Sequence, residues 1–484
     1  METGQSRHPE LMDYFALDGS WWLPDSPDHR VSGTLTFSAD GLTLVVYGSL
    51  VPTVRVPNAV LEQTTPDWEE TAVILGNSHA GKKVTLLGAS GANFIGPHVS
   101  QSHYRVRLAL TDVEVTVDAF AEVQCEFDCL TAWTEPPSIS EPLDDSRRQF
   151  RLRFENAELG IAQVADAQVE LIATVVGSIG GNTANAKQEA AFRIRLPSTS
   201  SRDIINQWVR PLQDLLVLVL GRAVRLTGLY MKPEGADPDE LFGRASFEAV
   251  QPPAGPTPDW SAIMSYTAPT LLTFRDSPAP FAELIPRWFR LRQELHEVLV
   301  LLHGEHYATF MFNEHKYSAV FQSAEALANA RGLSGREKTR QEHRARIIGI
   351  VAAARAAGID EEAVGWAERI LTTRNDKPLA QQIHDLVASA GEIGKRVLDA
   401  SPDFGRITAA ARTGVSHGRA QKAMDAAARF WHGDALRWIV RSRVLMDLGL
   451  DLAEVEHRVL SRGGFSHTVD EVQKYAERLR SEAS

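Results

Sequence analysis

The residues best suited to chemistry in this chain lie near its C-terminal end, in Arg412-Thr413-Gly414-Val415-Ser416-His417, within an Ala-rich helical region. Histidine titrates near neutrality, so it can take a proton from a ribose 2′-hydroxyl or return one to a leaving 5′-oxygen. Arginine stays charged and presents a planar fork that fits phosphate oxygens, so it can stabilise charge building up at phosphorus. Together they hold the parts for transesterification to a cyclic phosphate without a metal. The spacing alone is not selective. With 15 His in 484 residues, on the order of one Arg-x4-His pair arises by chance. A second copy, Arg462 to His467, is present, and looser spacings pair Arg290 with His296 and Arg336 with His343.

The elements around the two copies separate them. The first continues an apolar-periodic run from Phe404 through Ile407 and Ala411, which places it on a helix. Positions five apart on an α-helix lie about 140° apart in azimuth. Arg412 and His417 therefore share a site within one chain only where the turn loosens, and Gly414 is the residue that would allow it. Gly463-Gly464 reads as a helix stop, which puts the second copy in a connector.

Two regions of different texture surround these residues. Residues 1–200 read as strands: Gly33 to Phe37, Leu42 to Tyr47, Val113 to Val117, Phe150 to Phe154 and Ala191 to Leu196, with Asp40-Gly41 as a hairpin turn. Short strands with frequent turns imply a sandwich or a strongly bent antiparallel sheet. A helix is expected to begin after Ser201, with a kink or restart at Pro211, and four prolines between Pro252 and Pro258 mark a linker. From Phe281 onward only Pro286, Pro378 and Pro402 remain of 24 prolines. Helical-period runs follow there at Arg344–Ala357, Glu361–Arg374, Leu379–Leu398, Phe404–Ser416, Met424–Leu448 and Leu452–Leu460, a bundle.

The net charge of −12 argues against a general nucleic-acid coat, yet it is unevenly spread. From Phe281 onward 29 Lys+Arg face 27 Asp+Glu, a net of +2, which leaves 21 against 35, or −14, for residues 1–280. Such asymmetry points to separate jobs for the two parts. Cys125 and Cys129 cannot build a disulfide framework, and with no nearby His they read as buried hydrophobes in a reducing cytoplasm. Met1 to Tyr14 lacks the apolar core of a signal peptide, and the longest apolar run, Leu215 to Leu220, is too short to span a membrane.

Four other constellations have blander readings. Gly76-Asn77-Ser78-His79-Ala80-Gly81-Lys82-Lys83 resembles a phosphate loop, but Lys83 replaces the metal-binding hydroxyl and a strand follows where a helix is needed, so it reads as a hairpin tip. His296, Glu297, His303, Glu305 and His306 lack a full zinc-ligand pattern and read as helix residues. The run Arg336, Lys338, Arg340, Arg344, Arg346, broken by Glu337 and Glu342, reads as a solvated helix face rather than a phosphate-contacting one. Trp21-Trp22 reads as core and rim of a β-domain, with a sugar-stacking platform as the rival.

Taken together, the chain resembles one family over nearly its whole length. Phe15 to Pro24 followed by Val31 to Leu35, Ile74-Leu75-Gly76 with Gly81 to Leu86, and Leu130 to Trp133 are similar to the ApeA N-terminal domain. The C-terminal bundle resembles the ApeA-type HEPN domain, whose signature is Arg-x4-6-His on a late helix, where Arg412 and His417 fall. The resemblance implies a metal-independent ribonuclease in abortive defence against phage, pairing so that two Arg–His sets face each other across a cleft. One departure is Thr413, where the family usually has Asn or another strongly polar residue after the Arg.

The expected architecture is α+β and multidomain: a β-rich, sandwich-like domain over residues 1–280, with a helical segment near 201–224, then an all-α HEPN bundle over 281–484. The expected catalytic residues are Arg412 and His417, with no cofactor and no metal. The expected partners are RNA, with tRNA among the candidates, a second copy of the chain in a homodimer or larger homo-oligomer, and a phage-derived trigger; no membrane is expected. The alternative is a non-catalytic RNA-binding or dimerisation protein with a degenerate site.

Overall fold

The computed structural model describes residues 14–38, 40–51, 69–95, 100–135, 139–142, 150–153, 157–180, 183–237, 242–247, 259–260, 263, 270–308, 310–335, 338–373, 375–417 and 424–483. The chain divides into two compact units. The first holds residues 1–217, 222–265 and 272–289, and the second holds 218–221, 266–271 and 290–484.

The first unit is antiparallel β-structure. Strands β1 (Phe15–Trp22), β2 (Val31–Ser38), β3 (Gly41–Val46), β4 (Glu69–Ser78), β5 (Lys83–Ile95) and β6 (Ser100–Thr111) pair in the ring β6-β3-β2-β1-β4-β5, which closes because β5 also pairs β6. Along β2, Val31, Gly33, Leu35 and Phe37 alternate inward, the period of two that a half-buried strand requires. The barrel is filled by Trp21, Leu35, Phe37, Leu44, Ile74 and Leu86. Trp21 lies across Gly76, where a Cβ would stand 2.2 Å from its ring, and its Nε1 donates to Gly33 O at 3.0 Å. Trp22 is buried beneath the Arg30 guanidinium, 4.2 Å from its ring centroid. Neither indole offers a free face for a sugar. The loop resembling a phosphate site is the tip of the β4–β5 hairpin.

The sheet continues past the barrel because the far half of β6 pairs β14 (Gly243–Phe247). From there it runs through β13 (Leu226–Pro233), β7 (Phe120–Phe127), β12 (Thr183–Thr199), β11 (Ala167–Gly180) and β10 (Ala157–Val164). A separate pair joins β8 (Ile139–Pro142) to β9 (Phe150–Arg153). The expected β-rich domain is thus a closed barrel extended by an open sheet.

Val113–Val117 is not a strand. Val113 and Val115 are buried, but their backbone is tied to the Thr85 hydroxyl, which donates to Val113 O and accepts from Val115 N, both at 3.1 Å. The alternation reflects burial in a loop rather than a ladder.

The expected helix begins one residue earlier than its sequence signal. Ser200 caps it, accepting from Asp203 N, and Ser201–Asp203 leads into a π-wound stretch, Ile204–Val209, before Arg210–Leu220. A proline has no N–H and crowds the carbonyl four residues back, and the wider π winding just before Pro211 accommodates both. The proline-rich 252–258 segment lies outside the described residues.

The second unit is helical. Its centre is Ala426–Asp447, in which Leu436, Ile439, Val440, Val444 and Leu445 are buried. Asn313–Ala330 and Gly463–Ala483 pack on this helix, while Leu379–Ala388 and Phe404–His417 pack on each other and on Asn313–Ala330. The run expected as one helix over Leu379–Leu398 is two, Leu379–Ala388 and Gly391–Ala400, with Gly391 at φ +64° turning the chain. Arg340–Ala356 and Glu361–Thr373 form a hairpin with its own small core of Ile347, Val351 and Val364. Among the described residues no helix is long and apolar enough to cross a membrane.

Candidate functional site

The Phe404–His417 helix carries the first Arg-x4-His pair and is anchored at its N-terminal half. Phe404 and Thr408 are fully buried, and Gly405 lets the helix approach so closely that a Cβ there would lie 2.3 Å from Ala380 O. Tyr317 donates its hydroxyl to Thr408 O at 2.8 Å, and burial pushes that phenol well above its ordinary value, so it remains a donor. Toward its C-terminal half the helix emerges: Arg412 is half-buried and Thr413 exposed.

Arg412 is loosely held. Its Nη2 is 4.0 Å from Glu325 Oε2 on the Asn313–Ala330 helix, with both side chains about one-third exposed (31% and 32%). Its Nε is buried without a hydrogen-bond partner among the described residues. A guanidinium with unmet donors at the edge of an open surface is suited to accept an anion. Thr413 spends its hydroxyl on its own helix, donating to Ala409 O at 3.0 Å. It does not orient Arg412.

The helix runs unbroken through Gly414 to His417. The loosened turn that would bring Arg412 and His417 together within one chain is absent, and on a regular helix the two positions stay about 140° apart in azimuth. The side chain of His417 lies outside the described residues.

The second copy is placed differently from its sequence reading. Gly463 and Gly464 open a helix, Gly463–Ala483, so only Arg462 lies in the connector and His467 sits in the first turns. Burial of Phe465, edge-on to Trp438 at 5.9 Å, outweighs the low helix propensity of the glycines. His467 stands edge-on to Trp431 at 4.8 Å and borders a cavity of about 260 Å³ with His306, Glu305, Asp434 and Arg437.

That cavity is ringed by paired charges, although Glu305 Oε2 and Arg437 Nε are buried without a hydrogen-bond partner among the described residues. Asp434 accepts from Arg437 at 2.7 Å, Thr468 at 2.6 Å and Trp438 Nε1 at 3.1 Å, and Arg437 also pairs with Glu305 at 2.5 Å. Arg441 donates to the carbonyls of Leu218 and Val219, and burial lowers its pKa to about 9. Burial, reinforced by His303, lowers His306 to about 3, so it is neutral at pH 7. The arrangement is a network in which the main charges, Asp434, Arg437 and Glu305, pair with one another. Among the described residues no group of three or more His, Cys, Asp or Glu is placed to hold a metal ion.

Sequence reasoning passed over Glu325, which comes to Arg412 from 87 positions earlier in the chain, and the Asp434 network, whose members come from several helices. No local spacing announces either.

Comparison with known proteins bears on both units. The family described as ApeA N-terminal domain 1 matches residues 17–288, more than half of the chain, and the family described as Apea-like HEPN matches residues 318–454. Arg412 and His417 fall inside the second match, whereas Arg462 and His467 fall beyond it. No curated protein and no solved structure matches.

Proposed function

The chain belongs to the ApeA family, and from that premise we propose that its helical half is an endoribonuclease of the HEPN type acting in defence against phage, with the β-rich half sensing a trigger or restraining the nuclease. The observation that carries the reading is Arg412, a guanidinium with uncommitted donors on an emerging helix inside the HEPN match.

In this reading the 2′-oxygen attacks phosphorus, the bond to the 5′-oxygen breaks, and the products end in a 2′,3′-cyclic phosphate and a 5′-hydroxyl. His417 takes the 2′ proton as general base, and the 5′-oxygen leaves with a proton from water. A two-fold dimer sets Arg412 of one chain beside His417 of its partner. Arg412 stabilises the charge on the equatorial oxygens. Neither metal nor cofactor has a role in these steps. The substrate is RNA, tRNA included, and the cytoplasm is where the enzyme meets it.

A second reading is favoured by Thr413 and Glu325. With the Thr413 hydroxyl turned back to Ala409 and a carboxylate near Arg412, the site has the look of one that binds RNA or dimerises without cutting. Purified protein incubated with total RNA in EDTA separates the two. The nuclease reading expects fragments with cyclic phosphate ends that disappear in Arg412→Ala and in His417→Ala. Intact RNA bound to dimeric protein supports the second reading, and cleavage abolished by EDTA overturns the first.

A further inference from the structure

The acidic half of the chain holds a groove lined by arginines. Arg105 and Arg107 project from β6, and Arg202 and Arg210 from the helix that begins at Ser201, around a cavity of about 380 Å³. Its lining residues include no carboxylate. Four guanidiniums gathered at one place stand out in a region, residues 1–280, whose net charge is −14. Among the described residues neither Arg202 nor Arg210 has an ion-pair partner.

Two departures from regular backbone aim these side chains. The β5–β6 ladder passes from Leu87↔Leu108 to Ala89↔Val106 across Gly88, which sits at φ +60°. A Cβ at Gly88 would lie 2.9 Å from Arg107 Cζ, so the glycine lets the guanidinium lie over the strand. Asp118 then fixes Arg107, accepting its Nη2 at 3.0 Å together with Ser201 N at 2.8 Å. On the facing helix the π-wound stretch takes more residues per turn than an α-helix. Arg202, Asn206 and Arg210 therefore fall closer to one row than the α-helical drift of about 40° per four residues would give. π segments are rare and recur at functional sites.

The floor is apolar, made by Leu42, Val106, Ile205 and Phe247. Apolar surface under a rim of guanidiniums suits a ligand with a ring and a phosphate. The volume lies within the roughly 300–1,000 Å³ typical of small-molecule sites. The field of the domain selects further: a net negative surface repels an extended polyanion, whereas screening over about 10 Å leaves the groove's arginines, Arg202 and Arg210 above all, in command inside it.

We propose that this groove binds a small phosphorylated molecule of the nucleotide class and is the sensing element of the β-rich half. The binding is a property of the groove itself, and only its role as sensor rests on the function proposed above.

Calorimetric titration of the full chain with ATP, AMP, inorganic phosphate and adenosine at fixed ionic strength tests it. At least one of the phosphate-bearing probes binds, and adenosine binds at least about tenfold more weakly than AMP. Arg202→Ala with Arg210→Ala, both exposed and outside the nuclease machinery, weakens the bound nucleotide by roughly ten- to a hundredfold at an unchanged melting temperature. The Arg412→Ala chain binds like wild type, so a failed nuclease reading leaves the result intact. Absence of binding by every phosphate probe, undiminished binding to the double variant, or adenosine binding as well as AMP overturns the proposal. So does a short single-stranded RNA that binds tightly and loses its binding in the double variant, since the groove would then be a track for RNA.

Discussion

The unbroken helix between Arg412 and His417 makes a quantitative prediction about how the site is shared. Five residues of regular helix separate the two positions by about 7.5 Å along the axis and about 140° around it. One chain therefore places positions 412 and 417 on different sides of the helix, and in the proposed reading a complete site takes Arg412 from one copy and His417 from the other. Arg412→Ala and His417→Ala homodimers should each be inactive, because each lacks one member at both sites. In a mixed dimer, one site has lost both members and the other has both. Random pairing of equal amounts gives about half mixed dimers with one live site of two, so cleavage returns to roughly a quarter of wild type. The assay is cleavage of a fluorescent RNA by the two variants, co-expressed in equal amounts and purified together through one shared tag, beside each variant alone. Arg412 is partly exposed and 4.0 Å from Glu325, so its loss costs about 1 kcal/mol of stability at most, and melting curves should superimpose. Mixed dimers as dead as their parents would refute the shared site.

Other outcomes follow from particular contacts. Arg462→Ala with His467→Ala should leave RNA cleavage close to wild type, since His467 borders a charge-matched network; loss of cleavage there, with Arg412→Ala still active, would move the site. Gly76→Ala should destabilise the barrel by about 1–3 kcal/mol in denaturant unfolding, because the new methyl would lie 2.2 Å from the Trp21 ring; an unchanged midpoint would contradict that packing. Acid should weaken the helical unit through its buried histidines. Burial holds His432 at about 4, below its ordinary 6.5. Above pH 6.5 neither state binds the proton, and below it the unfolded chain does while the folded one does not. Stability present above pH 6.5 is thus lost as pH falls towards 4, by on the order of 3 kcal/mol for this residue. His432→Phe should flatten the curve of unfolding free energy between pH 6.5 and 4, and a slope parallel to wild type would count against the burial argument.

How much of this was legible in the sequence depends on whether the determining contact is local. The alternation in β2 and the helical periods from Phe281 onward are written in neighbouring residues, and the β-rich and all-α parts follow from them. Val113–Val117 carries the same alternation without a ladder, because its polar backbone partner, Thr85, comes from another strand. Gly463-Gly464 looks like a stop, yet the buried Phe465 beside it sustains a helix, a tertiary preference that propensity does not contain. The break after Ala388 had a signal in Gly391, obscured by the continuous apolar period on either side.

The same distinction decides what could be read of the sites. Arg412 and His417 are proposed from a spacing that is local, while Glu325, which stands 4.0 Å from Arg412, is invisible until the helices pack. Net charge misleads in the opposite direction. A sum of −14 over residues 1–280 disfavours a polymer of phosphates on that surface, but a sum has no address. Ladder geometry at Gly88 and π winding before Pro211 place four arginines from two elements around one cavity with no carboxylate in its lining. Binding responds to the potential inside the cavity, where near charges count far more than the remainder of the domain beyond a Debye length. A domain can therefore be acidic in total and still hold a compact anion, and the two properties together are what would separate a small phosphorylated signal from the RNA that the other unit is proposed to cut.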